Sequence, residues 1–201
     1  MGVYKLSTAG GLATPRTNYS SFLAGNPAVQ FTAYESISTV TVSSSVSSIT
    51  FSAIPATFTH LQIRAFCKAT TNDSNVGSIF GRFNSDTGSN YARHFLNGSG
   101  SVVAAGGAAS QTSMFFGTGV NANQTSVFAT NVIDILDYAN TNKYKTTRSL
   151  SGVDVNGAGG FVQYMTGLWM NTAAVTSITI LPAADDFAQY SSFALYGIKG
   201  A

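Results

Sequence analysis

The feature that most constrains this chain is alternation. Over residues 60–68, Leu61, Ile63, Ala65 and Cys67 fall on one parity, and Gln62, Arg64 and Lys68 on the other. Successive side chains of an extended strand point to opposite faces, so this split describes a strand with one dry and one wet side. Strand-like patterning recurs at residues 36–43, 48–54, 78–84, 91–96, 113–117, 128–137, 145–155, 162–170, 175–181 and 192–199, while runs of helical period are hard to find. About ten strands result, most bounded by Gly, Asn, Asp or Ser clusters that suit turns. That spacing belongs to an all-β sandwich or barrel.

Composition removes most alternatives. Charged residues are 9% of the 201, against about 25% in an average globular chain. Hydroxyls and amides take their place, with 25 Ser, 23 Thr and 14 Asn beside 20 Gly. Hydrophobic residues at 44% supply a core and exclude charge-driven disorder. A single Glu, Glu35, excludes a coiled coil or helical bundle. A net charge of +2 gives little electrostatic drive towards nucleic acid, so no nucleic-acid partner is expected. One cysteine, Cys67, cannot form an internal disulfide. No apolar run is long enough to span a bilayer, so no membrane insertion is expected. Residues 1–5 lack the charged and apolar regions of a signal peptide, which points to an exit route other than ordinary secretion.

Two stretches break the rhythm. Residues 1–30 hold Gly10, Gly11, Pro15 and Pro27 among scattered apolar residues and read as an extended arm preceding a body at 31–201. Residues 97–112 are Gly- and Ala-rich and read as a long loop. No internal repeat is present, which argues against a solenoid. A surface poor in long charged side chains lacks the usual protection of strand edges. Such a chain closes its sheets or buries them in an assembly. An oligomer is therefore preferred over a neutral-surfaced monomer.

Convergent chemistry is scarce. His60 and His94 sit on separate strands, and no G-x-S-x-G elbow presents a serine. Cys67 shares the dry face with Ala65 and Ile63 and reads as a core residue. Residues 84–90 carry oxygen side chains at alternate positions, but Phe95 stands where a calcium loop needs a bidentate Glu; a hairpin turn accounts for them. Asp185 and Asp186 read as a polar turn. Asp134 and Asp137 flank Ile135 and Leu136, so at least one acid is expected at a sheet edge or facing a partner. No metal, cofactor or catalytic residues are assigned. Binding is the more open class: Gln163, Tyr164, Trp169, Asn171, Gln189 and Tyr190 combine ring faces with amides that could meet a glycan or a protein partner, although the same residue types also fill cores.

Four blocks carry a resemblance. They are Thr17-Asn18-Tyr19-Ser20-Ser21-Phe22-Leu23-Ala24-Gly25-Asn26, residues 49–64 ending His60-Leu61-Gln62-Ile63-Arg64, Arg82-Phe83-Asn84-Ser85-Asp86-Thr87-Gly88-Ser89-Asn90-Tyr91, and Ser192-Phe193-Ala194-Leu195-Tyr196-Gly197-Ile198-Lys199. In this order they resemble a family of small virion structural proteins of tailed bacteriophages, over most of the chain from about residue 17. The first block looks like the family's leader, the second like its first long hairpin and the last like its closing strand. The resemblance implies an antiparallel, jelly-roll-like β-sandwich, a homotrimer, and a non-enzymatic place on the virion surface. Such a protein is made in the host cytoplasm and released by lysis. Two placements follow. As a head decoration (cement) protein the chain would bind the major capsid protein through its arm, with Tyr19, Phe22 and Leu23 as attachment residues. As a tail fibre or other appendage it would dock on tail or neck proteins and bind a host surface glycan. No repetitive shaft separates arm from body, which favours the head.

Overall fold

In the computed structural model, residues 60–67 form the strand that their parity demands: Leu61, Ile63, Ala65 and Cys67 are buried, while Arg64 and Phe66 are exposed. The structure describes residues 33–72, 76–157 and 159–200. Tyr19, Phe22 and Leu23 lie outside the described residues. So does the whole of the expected arm, residues 1–30.

Twelve strands follow one another, and no helix forms among the described residues. They are β1 (Tyr34–Thr41), β2 (Ile49–Phe51), β3 (His60–Cys67), β4 (Val76–Phe83), β5 (Tyr91–Gly98), β6 (Val103–Gln111), β7 (Met114–Val120), β8 (Ala129–Leu136), β9 (Lys145–Asp154), β10 (Gly160–Trp169), β11 (Ile178–Pro182) and β12 (Ser192–Ile198). All pairings are antiparallel. An eight-stranded sheet runs β1-β12-β3-β8-β9-β10-β5-β6, and a four-stranded sheet runs β2-β11-β4-β7.

The topology is a jelly roll with two insertions. Setting aside β5–β6 and β9–β10 leaves sheets β1-β12-β3-β8 and β2-β11-β4-β7. The outer pairs β1·β12, β2·β11, β3·β8 and β4·β7 then describe one long antiparallel ribbon, rolled so that successive segments fall in alternate sheets. The two inserted hairpins both join the β8 side and widen one sheet to twice the strands of the other.

Three expectations are corrected here. Residues 97–112 are not one long loop: 103–111 form β6, paired to β5 along most of its length. Small side chains hid it, because Ala and Gly give no parity contrast. Residues 84–90 do not close a hairpin, since β4 belongs to the small sheet and β5 to the large one; they form a corner between sheets. The stretch 49–64 likewise crosses between sheets instead of pairing with itself.

The main core lies between the sheets, around Phe51, Leu61, Ile63, Phe83, Phe116, Ile133, Trp169, Ile178 and Phe193. Trp169 meets Phe83 edge-on, with ring centroids 5.5 Å apart, and lies nearly parallel to Tyr91 at 6.4 Å. Each such buried ring contributes about 2–3 kcal/mol through the water it sheds. A smaller cluster of Val120, Ala129, Val153 and Val155 forms towards the opposite end.

Candidate functional site

Strand β9 is built inside out. Its inward parity holds Lys145, Thr147, Ser149, Ser151 and Val153, all buried, whereas Leu150 points outward and is 56% exposed. The reason lies across the core. Gly117 and Thr118 bring β7 close over β8 and β9: a Cβ added at Gly117 would come within 2.0 Å of Asn131 Oδ1 and 3.1 Å of the Ser151 Cβ, so small hydroxyl side chains fit there and bulkier ones do not. The Asn131 side chain donates to the Thr118 carbonyl at 2.9 Å and accepts from the Thr118 N–H at 3.0 Å, joining the two sheets as a ladder rung would. The Thr118 hydroxyl lies 3.2 Å from that of Ser151 and donates to the Gln163 amide oxygen at 3.3 Å. Gln163 is therefore a core residue.

The consequence appears outside. Cross-strand partners Val132, Leu150, Tyr164 and Leu96 form one row across β8, β9, β10 and β5, and all four are exposed. Phe66, Val162 and Val103 flank that row on its loop side and are exposed too. On the other side runs a polar row. The Gln62 amide donates to Asp134 at 2.7 Å, Arg148 donates to the same carboxylate at 2.8 Å, and the Arg64 Nε donates to the Gln62 oxygen at 3.1 Å. The Arg64 guanidinium also faces the adjacent rings of Tyr34 and Tyr196, at 5.8 and 5.7 Å. This face can bury apolar area against another surface, with a charge-compensated border. Sequence reasoning missed it, although hydroxyls at 147, 149 and 151 opposite Leu150 were the visible signal.

The expected ligand residues do not converge. Trp169 is buried and donates its indole N–H to Asp86 at 2.7 Å, so it cannot stack on a ligand. Asn171, just beyond β10, caps the Ala173 N–H. Gln189 and Tyr190 are exposed ahead of β12, whose first residue lies in register with Phe66, Thr130, Gly152 and Val162. Val162 and Trp169 are seven residues apart on β10, roughly 23 Å at about 3.3 Å per residue. Asn171 and Tyr190 thus belong to opposite ends of the sandwich. Only Tyr164 of the expected set stands on the exposed apolar face.

Several titratable groups are occupied structurally. Asp134 lies in mid-sheet and not at an edge, with Gln62 and Arg148 as partners. Asp137 pairs with Lys143, and its backbone N–H donates to His60 Nδ1 at 2.9 Å. Burial pushes the Cys67 thiol up to about 12, which removes it as a nucleophile at neutral pH. Lys145 Nζ donates to the carbonyls of Asn140, Lys143 and Thr172 at 2.6–3.0 Å. His94 is exposed on the outer face of β5, remote in sequence and strand from His60. Among the described residues no group of three or more His, Cys, Asp or Glu could hold a metal ion. No family model, curated protein or solved structure matches the chain.

Proposed function

We propose that this chain is a non-enzymatic structural protein of a tailed-bacteriophage virion, and specifically a head decoration protein. It works as a homotrimer on the particle surface, contacting the major capsid protein through residues of its first thirty positions. One observation carries the reading: the exposed apolar row Val132, Leu150, Tyr164 and Leu96, set in an inside-out sheet, belongs to a molecule made to be covered. Asp86, Asp134 and His60 are spent on holding the fold, which also favours structure over catalysis.

Quantitative mass spectrometry of purified particles, referenced to the major capsid protein, tests the placement. A near-stoichiometric ratio, or a small integer fraction of it, is the expected result. A few copies per particle would move the chain to the tail and revive the glycan-binding alternative. Absence from particles would sink both.

A further inference from the structure

We propose that a second copy of this chain packs, sheet against sheet, on the outer face of β8, β9, β10, β5 and β6. The area has the right size. Allowing about 150–250 Å² for a whole aromatic side chain and less for aliphatic ones, the exposed parts of Phe66, Leu96, Val103, Val132, Leu150, Val162 and Tyr164 come to on the order of 700 Å². A monomer's largest apolar patch is usually about 300–600 Å², and each partner in a specific interface contributes about 800 Å². The patch is also continuous. Four of the seven are direct cross-strand partners, and the others sit two residues away along the same or neighbouring strands.

A second copy, and not an unrelated partner, is the occupant because the face carries both halves of a fit. Leu150, Tyr164 and Leu96 project as knobs. Beside them lie two hollows. One, of about 600 Å³, opens over Gly152 and Gly98 between Phe128 and Val162. The other, of about 400 Å³, opens over Ala194 and Thr130 between Phe66 and Tyr196. A surface that holds knobs and hollows together can lodge the knobs of one copy in the hollows of the next, a contact that closes as a ring of three. On its border Asp134 and Arg148 are already paired within one copy, and the Arg64 guanidinium is held against the Tyr34 and Tyr196 rings. At the far side, β6 ends the sheet with residues 103–111, which hold neither charge nor proline, so the usual guards against a neighbouring copy are missing.

The inference rests on the assembly reading only in expecting self-association; the particle count and the measurement below can fail separately. Light scattering on the purified full-length chain, over a micromolar dilution series, gives its mass. Leu150→Asp and Val162→Asp each place a charge at an already exposed position of the patch, and Thr50→Asp does so on the exposed face of the small sheet. Circular dichroism and the thermal midpoint establish that each variant is folded; if Leu150→Asp unfolds, Val162→Asp decides. The expected result is a multi-chain mass that both patch variants reduce to one chain and Thr50→Asp leaves intact. A single-chain mass for the unmodified protein would overturn the proposal. So would an assembly that survives both patch substitutions, or one that Thr50→Asp abolishes equally.

Discussion

At position 86 one carboxylate gathers three donors from around the β4–β5 corner: the Trp169 indole at 2.7 Å, the Asn90 amide at 2.9 Å and the Gly88 backbone N–H at 2.8 Å. The sequence shows only an Asp in a turn. Its partner Trp169 is 83 residues away, and nothing in local pattern announces the bond. Burial works to raise the carboxyl pKa, but the Trp169, Asn90 and Gly88 donors outweigh it and hold the group below its ordinary value. A carboxylate with a depressed folded-state pKa contributes stability that is complete above the unfolded value, about 3.9, and is lost as pH falls through the lower folded value. Trp169 is the only tryptophan, so its fluorescence reports this corner directly. Asp86→Ala is expected to cost about 1–3 kcal/mol by orphaning the indole and the amide. It should also shift Trp169 emission at pH 7 and flatten the acid limb of the stability profile below about pH 4. Unchanged emission and an unchanged acid limb would refute this account. Cys67 is the opposite case: its parity with Ile63 and Ala65 announced a core residue, and full burial bears that out.

At the scale of elements, strand positions followed from parity wherever one face was dry. They failed where it was not. In β6, Phe95 and His94 of the neighbouring strand lie against Gly106 and Gly107, where an added Cβ would come within 2.8 and 2.6 Å of their rings. Pairing with β5 makes the strand, and the neighbour supplies the bulk that Gly lacks. β7 shows the same dependence across the core. An alanine Cβ at Gly117 would sit 2.0 Å from Asn131 Oδ1 and displace the amide that joins the sheets. Gly117→Ala is therefore expected to lose about 2 kcal/mol or more, from two broken hydrogen bonds and steric strain. That is a fall in thermal midpoint of about 4–8 °C for a chain of this size. Gly119→Ala, on the same strand, meets nothing closer than 3.7 Å and should lower the midpoint far less. Calorimetry on the pair separates the two, and equal effects would refute the role given to Asn131.

For the whole molecule, the expected fold class holds: an antiparallel, jelly-roll-like β-sandwich. The roll becomes visible only when the two inserted hairpins are set aside, and their joining one sheet is what makes that sheet so much broader than its partner. At this scale, too, belongs the attachment role proposed for Tyr19, Phe22 and Leu23. A chain lacking residues 1–30 is expected to fold, because every strand pairing among the described residues lies within 34–198, and to be lost from particles in a competition with the full-length chain. Normal incorporation would transfer attachment to the sandwich itself.

The sequence alone determined that this chain makes strands and that Leu61, Ile63, Ala65 and Cys67 face inward. Those properties are local: parity and composition are written in neighbouring residues. The tertiary structure decided which strands pair, that residues 84–90 turn a corner between sheets, and that Trp169 goes inside while Leu150 stays out. Each depends on what lies across the core. Hydroxyls are buried at 147, 149 and 151 because β7 approaches closely there, and where the inner side of β9 is so tight its large apolar side chain, Leu150, stands on the outer one.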